Sequence, residues 1–278
     1  MKAFRDLRSS ERLLIVYFFY VALLWPWSPE RWIVAGLIAI FLVGLVWLDS
    51  KDRGLTVSIF RDWNALALTL VAYREMDWFT PTVRDHHLER AWVVWDRLLL
   101  HRYGLQSAIE SAGWLLPEFL EICYCVVYAA GPVALGILYL YNKRERANRF
   151  LTIYLTGTLL AYALFPYFPS EPPRTAFAGL DLPGVMTGLR SFNLWVVGGY
   201  GIHSSVFPSA HVSSAFSAAW GLLLFLPERR GAGWAMCVYS VCVAVATIYG
   251  RYHYTVDAVA GFGVSLVALA AGILVSRR

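Results

Sequence analysis

Long apolar runs separated by short polar segments make up most of this chain. Runs at 13–27 and 32–48 are joined by a polar turn, and others follow at 115–141, 150–165, 207–226, 234–249 and 254–275. About 20 apolar residues suffice for an α-helix to cross the hydrocarbon core of a bilayer. The pattern therefore predicts an all-α fold, a polytopic transmembrane helix bundle of about six to eight spans.

Two segments depart from this pattern. The run at 59–73 is short and mixed, so that length alone leaves its crossing doubtful. The segment 85–103 mixes charged and aromatic residues, which is typical of an amphipathic helix that lies in the membrane interface. We interpret its histidines, His86, His87 and His101, as interfacial residues.

The positions of the basic residues predict the topology. Basic segments at 143–149, 229–230 and 277–278 are separated by two spans each, so they share one side, which the positive-inside rule assigns to the cytoplasm. The C-terminus is then cytoplasmic, and the segments 166–205, 209–211 and 251–253 lie on the extracytoplasmic face. With a cytoplasmic N-terminus the run 59–73 must cross, which gives eight crossings instead of seven. We favour the crossing.

Composition narrows the class of protein. With 58% hydrophobic and 15% charged residues, the chain is too apolar for a water-soluble domain. The net charge of +5 comes from Lys and Arg in short loops, which does not indicate nucleic-acid binding. The four cysteines lie in apolar runs without C-x-x-C spacing, which indicates packing. No cleavable signal peptide is evident, so we expect the first span to remain attached.

Two histidine-containing blocks carry the candidate chemistry. In Phe207-Pro208-Ser209-Ala210-His211, Ser209 is a good N-cap and His211 falls in the first turn of a helix, whose free N–H groups favour a phosphate. In the second block His253 and Asp257 are four residues apart, on one helical face. The carboxylate is expected to hold one ring nitrogen, which leaves the other free to attack phosphorus.

Several further residues are candidates for binding the phosphate. Arginine offers a planar fork that suits tetrahedral phosphate, so Arg174 and Arg251 are expected to hold its oxygens. Ser209 lies at the same helix start, and His203 lies near the end of the long connection that precedes it.

The two blocks resemble those of the type-2 phosphatidic acid phosphatase superfamily, particularly its inositol phosphorylceramide synthase-like branch, over 166–261. The first is similar to the family block P-S-G-H with Ala210 in place of glycine, and the second to H-x-x-x-D. The resemblance implies that His253 is a nucleophile forming a phosphohistidine, that Asp257 orients it, and that His211 is the acid.

Two departures from the family pattern concern the phosphate-binding residues. Ala246-Thr247 stands where the common phosphatase pattern has Ser-Arg, while Arg251 stands only two residues before His253. No K-x6-R-P block is present, and Pro172-Pro173-Arg174 is the nearest substitute.

Two other chemistries use the same residues. A zinc site could be built from His203, His211, His253 and Asp257, since these are proper zinc ligands. A proton-coupled transporter could use buried His and Asp as a relay, but the charged groups cluster at span ends on one face.

We therefore expect an enzyme without a metal or cofactor that acts on a membrane lipid, either a lipid phosphate or a phospholipid headgroup, at the extracytoplasmic face. A lipid hydroxyl as acceptor would make it a headgroup phosphotransferase, which the motif variants favour, and water would make it a phosphatase. We expect N-terminal spans and the interfacial helix at 1–112 and the catalytic transmembrane core at 113–278, within one membrane domain.

Overall fold

A computed structural model describes residues 6–24, 29–52, 54–81, 85–202 and 204–276. Over these residues the fold is all-helical. The helices are α1 Ser9–Leu24, α2 Pro29–Asp52, α3 Leu55–Phe79, α4 His87–Arg97, α5 Leu105–Glu110, α6 Leu115–Cys125, α7 Ala130–Leu140, α8 Ala147–Leu164, α9 Pro173–Ala176, α10 Gly188–Tyr200, α11 Ala210–Phe225, α12 Arg230–Tyr249 and α13 Thr255–Ser276.

Six segments in the described part of the chain are long and apolar enough to cross a membrane, which confirms the predicted polytopic helix bundle. They are Glu30–Ser50, Leu55–Trp78, Leu115–Leu140, Arg144–Tyr167, Pro227–Tyr249 and Thr255–Leu274; α11 is a shorter apolar helix. The doubtful run 59–73 lies inside the 25-residue helix α3. Its length therefore no longer argues against a crossing.

Helix α11 lies at the centre of the bundle, packed against α8, α12 and α13. Its fully buried positions include Ala215, Ala218 and Ala219, and small residues let neighbouring helix backbones approach closely where lipid provides no hydrophobic driving force. On α8, a Cβ at Gly157 would lie 2.0 Å from Ser217 Oγ, so only glycine fits there. This packing holds the start of α11 among the ends of its neighbours.

Helix α4, within the predicted interfacial segment, has two distinct faces. Val94 and Trp95 are exposed, whereas Glu89, Val93 and Asp96 are buried. The buried face lies against the start of α13 and α9. The helix is thus amphipathic, as predicted, but it also buries two carboxylates against the rest of the protein.

The span formed by α6 and α7 is interrupted by a 3₁₀ turn at Val126–Ala129. Pro132 follows it and has no N–H group to donate to the carbonyl of Tyr128, four residues earlier. The helix tightens at this point, and the Tyr128 side chain projects from the turn. Such an interruption inside a helix often marks a functional position.

Charged side chains near the start of α8 form an ionic cluster. It is made up of Arg8, Glu11, Arg61, Asp62 and Arg144. Arg8 Nη1 lies 2.5 Å and Arg144 Nε 3.0 Å from the carboxylate of Asp62. Arg61 contacts both oxygens of Glu11, at 2.7 and 2.8 Å. The cluster ties the starts of α1, α3 and α8 together.

Candidate active site

The short connection between α12 and α13 positions His253. The carbonyl of Thr247 accepts the N–H groups of Tyr252 and His253, at 2.9 and 3.0 Å, which folds the chain back after α12. His253 Nδ1 lies 2.9 Å from the carbonyl oxygen of Val206 and 3.3 Å from Asp257 Oδ2. Because a carbonyl only accepts, the proton belongs on Nδ1 and Nε2 has a free lone pair.

The start of α11 positions His211. Ser209 caps the helix by accepting the N–H of Val212, and its own N–H donates to the carbonyl of Asp257 at 3.0 Å. This second bond fixes the start of α11 against the start of α13. As a result, His211 Nδ1 lies 3.3 Å from His253 Nε2. The two histidines, 42 residues apart in sequence, are thus in direct contact.

Both histidines line an open cavity. Of the described residues that line it, Arg174 has the permanent positive charge. Its guanidinium carbon lies 5.5 Å from the centre of the Tyr252 ring, and its backbone N–H donates to the carbonyl of Arg251 at 3.2 Å. Six tyrosines also line the cavity: Tyr73, Tyr124, Tyr128, Tyr154, Tyr162 and Tyr252.

The surroundings of His253 favour its neutral form. Burial lowers its pKa well below the usual value, and the neighbouring His211 and the positive charge of Arg174 lower it further. A neutral imidazole with its proton on Nδ1 is the form whose Nε2 can attack phosphorus.

Arg251 lies elsewhere than the sequence analysis expected. Its side chain is fully buried and Nη1 lies 2.5 Å from Asp96 Oδ2, and it is not among the residues that line the cavity. The other oxygen of Asp96 accepts the N–H and hydroxyl of Thr255, at 2.7 and 2.8 Å. This ion pair joins α4 to the connection that carries His253.

Two other phosphate-binding candidates have different outcomes. The hydroxyl of Ser209 is used as the helix cap and the side chain is fully buried outside the cavity lining, so its contacts do not support a phosphate-binding role. The N-cap prediction itself is confirmed. His203 lies outside the described residues.

Three features of the site were missed by the sequence analysis. The acceptor for His253 Nδ1 at the shorter distance is the backbone carbonyl of Val206, which leaves no side-chain signal. The hydroxyl of Tyr128 lies 3.1 Å from His211 Nε2. Glu121 accepts the hydroxyl of Tyr252 at 2.7 Å, and an acidic residue inside an apolar run was a signal that could have indicated it.

A stack of rings connects Glu121 to His211. Tyr252 lies against Tyr124 with ring centres 3.7 Å apart, and Tyr124 stacks on His211 at 5.2 Å. Glu121 is also bonded to Arg190 Nη1 at 2.8 Å. These contacts restrain the His211 ring from its face.

Within the described ranges, no group of three or more His, Cys, Asp or Glu side chains is arranged to hold a metal ion. The zinc alternative also included His203, which lies outside those ranges. The four cysteines are all free, and Cys123 and Cys237 are buried, in accord with the predicted packing role.

Comparison with known proteins places this site in a family. The sequence model of the PAP2 superfamily matches residues 91–271, which include His211, His253 and Asp257. A Dictyostelium discoideum protein described as "PA-phosphatase related-family protein" is 25% identical over 138 residues, which are 46% of this chain but only 24% of that protein. No solved structure gives a significant match. Since the family match covers well over half of the chain, the protein belongs to the PAP2 superfamily.

Proposed function

We propose that this protein transfers a phosphoryl-type group of a membrane lipid through a phosphohistidine on His253, without a metal or cofactor. The observation that carries this proposal is the contact of His253 Nε2, which has a free lone pair, with His211 at 3.3 Å in a cavity that Arg174 also lines. A nucleophile, a proton donor and a cation for the phosphate oxygens are thereby within reach of one phosphorus atom.

The transfer takes place in two steps. His253 Nε2 attacks phosphorus, the bond to the leaving oxygen breaks, and His211 gives a proton to that oxygen. The oxygen of the acceptor then attacks phosphorus, gives its proton to His211, and the N–P bond breaks to restore His253. Asp257 and the carbonyl of Val206 hold the Nδ1 proton throughout.

The charge of the cavity supports a phospholipid headgroup donor. A phosphomonoester carries about two negative charges near pH 7, whereas a phosphodiester carries one. Among the described lining residues Arg174 supplies one permanent positive charge. Burial disfavours a second on His253, and the charge of protonated His211 is lost when its proton passes to the leaving oxygen. One guanidinium complements a phosphodiester, so we propose headgroup transfer to a lipid hydroxyl, similar to inositol phosphorylceramide synthase activity.

Water as the acceptor would give the alternative, a lipid phosphate phosphatase. The same histidines serve both reactions, and the acceptor is decided by the shape of the cavity. Membership of the PAP2 superfamily supports either of these enzymes and adds nothing in favour of the proton-coupled transporter.

The test uses purified protein in detergent with a phosphate-labelled phosphodiester lipid, with and without a lipid alcohol. We expect labelled transfer product with the alcohol, an acid-labile and base-stable protein label, and loss of both in His253→Ala. His87→Ala is the control, because that side chain is 66% exposed. Turnover that persists in His253→Ala, or that is abolished by a chelator, would refute the mechanism. Hydrolysis alone would favour the phosphatase.

We also propose that the cavity faces the extracytoplasmic side and that the C-terminus is cytoplasmic. Arginines are concentrated at the start of α8, in the ionic cluster and at Arg146 and Arg149, and the cavity lies towards the opposite end of this helix. Basic segments favour the cytoplasmic side of a membrane. A reporter fused to the C-terminus that is active only outside the cytoplasm should be inactive, and an active fusion would reverse the assignment.

A further inference from the structure

We propose that Tyr128 is a positioning residue that determines which nitrogen of His211 exchanges a proton with the substrate. Its hydroxyl is hydrogen-bonded to Nε2 of His211, which leaves Nδ1 as the nitrogen that exchanges a proton with the reacting oxygen. The inference rests on the proposed role of His211 as the proton donor and goes beyond it, since it assigns the nitrogen and the residue that selects it.

The geometry around the His211 ring supports this assignment. The hydroxyl of Tyr128 lies 3.1 Å from Nε2, which is hydrogen-bonding distance, and the two rings meet edge to face with centres 5.2 Å apart. Tyr124 stacks on the face of the same imidazole. On the opposite edge, Nδ1 lies 3.3 Å from His253. Each edge of the ring therefore has one partner.

The donors in the hydrogen bonds of His253, His211 and Tyr128 can be assigned from the backbone carbonyl of Val206, which can only accept. The carbonyl of Val206 takes the Nδ1 proton of His253, so His253 Nε2 is an acceptor. The contact between the two histidines then requires the proton on Nδ1 of His211. Nε2 of neutral His211 is consequently an acceptor as well, and the hydroxyl of Tyr128 is the donor.

A tyrosine hydroxyl suits both charge states of His211 because it donates and accepts. When His211 is protonated on both nitrogens, the Nε2 proton is donated to Tyr128 and the Nδ1 proton passes to the leaving oxygen. The Nδ1 lone pair left behind then takes the proton of the acceptor hydroxyl. The Nε2 proton stays on that nitrogen, hydrogen-bonded to the oxygen of Tyr128. Proton exchange with the substrate is therefore confined to Nδ1.

The backbone places Tyr128 for this task. It lies in the 3₁₀ turn that precedes Pro132, where the span of α6 and α7 departs from α-helical geometry. This turn also contacts α11, which carries His211. A regular helix through these residues would direct the side chain differently, because side-chain direction depends on the turn geometry.

The test compares two substrates that differ only in the leaving group. An alkyl phosphodiester needs a proton on its leaving oxygen, whereas a nitrophenyl phosphodiester leaves as the anion. General acid catalysis contributes about 10²–10⁴-fold, and we expect Tyr128→Phe to lose about 10–10²-fold on the alkyl substrate but less than about 2-fold on the nitrophenyl substrate. His211→Ala should show the same selectivity, with a larger loss.

The matched control is Tyr162→Phe. It also removes a tyrosine hydroxyl from the lining of the cavity, but Tyr162 has no hydrogen bond to either histidine. It should not discriminate between the two substrates. Equal losses on both substrates in Tyr128→Phe, or no loss on either, would overturn the proposal.

A second measurement does not depend on the variant folding. In wild-type protein with ¹⁵N-labelled histidine and without substrate, where Nδ1 of His211 contacts His253, the neutral form of His211 should have its proton on Nδ1, and a proton on Nε2 would overturn the proposal. Failure of the proposed function is distinguishable, because it would appear as turnover in His253→Ala whatever the leaving group.

Discussion

The charged side chains near the two ends of helix α8 differ in whether they are paired. At its start, every carboxylate of the ionic cluster is bonded to an arginine, and Asp62 contacts two of them. At its other end, about 27 Å away for 18 helical residues, Tyr162 and Phe165 reach the cavity. There Arg174 has no carboxylate within ion-pair distance among the described residues.

The difference separates stability from function. Paired charges in the ionic cluster offset the cost of removing them from water, and they hold three helices together. The cation in the cavity lacks such a partner, so its interaction free energy is available to a phosphate ligand. We therefore expect substitutions at one end to affect unfolding and those at the other to affect turnover.

The largest expected effect is at Arg174. Removing a charged hydrogen-bond donor from a reacting phosphate typically costs about 10²–10³-fold in rate, so Arg174→Ala should lose turnover by that factor. Arg174→Lys should recover part of it, since it keeps the charge but not the planar fork. The Tm in detergent should not fall. A Tm that falls as far as it does for a cluster variant would contradict the separation.

The next largest effect is at Asp62, in the ionic cluster. Asp62→Ala leaves Arg8 and Arg144 without their shared carboxylate, and we expect a loss of about 2–3 kcal/mol in stability, moderated because both arginines reach solvent. The measurement is thermal unfolding, with turnover per folded molecule unchanged. The control is Glu228→Ala, which removes an exposed partner of Arg146 at the same end and should leave the Tm unchanged.

A smaller effect is expected at Gly261 on α13, which packs against the start of α11. A Cβ there would lie 2.4 Å from the backbone oxygen of Ser209, so Gly261→Ala must push α11 and α13 apart. We expect a loss of about 1–3 kcal/mol in stability and a roughly ten-fold loss of turnover. Gly263→Ala is the matched control, because its Cβ would meet nothing within 4 Å. Equal stability and turnover in the two variants would show that the close contact between Gly261 and Ser209 does not matter for either property.

The smallest effect is in the pH profile. His253 must be neutral to attack, and burial lowers its pKa, so kcat/KM should persist as pH falls through about 6.5, the usual histidine value, and decline only below it. The nitrophenyl phosphodiester isolates this limb, since it needs no proton from His211. A decline centred at or above 6.5 would contradict the effect of burial.

Much of the fold was predictable because the bilayer imposes a simple pattern on a chain. Apolar runs identified most spans, and counting them with the basic loops brought His211 and His253 to one face before any contact was known. The length of α3 was missed because Arg61 and Asp62 interrupt its apolar run. Their partners include Glu11 in α1 and Arg8 just before it, so the sequence did not reveal that these charges are paired.

The site was less predictable wherever a role depends on a distant partner. An arginine that lines a cavity and one that pairs with a buried acid look the same in sequence, and Asp96 is 155 positions from Arg251. The spacing of His253 and Asp257 was informative because the side chains meet at 3.3 Å, although His253 precedes α13 instead of sharing a helical face with Asp257. The partner of Tyr128, His211, is 83 positions away, so no spacing indicated the contact. Pro132 was a local signal that the helix around Tyr128 is irregular.

The contact between His211 and His253 has a consequence for substrate affinity. The two rings are joined by a hydrogen bond, and 3.3 Å between the nitrogens leaves no room for a phosphoryl group between them. A substrate must therefore displace an internal hydrogen bond, whose net contribution is about 0.5–1.5 kcal/mol. Under the proposed mechanism, part of the binding free energy of the lipid is therefore spent on separating the two rings.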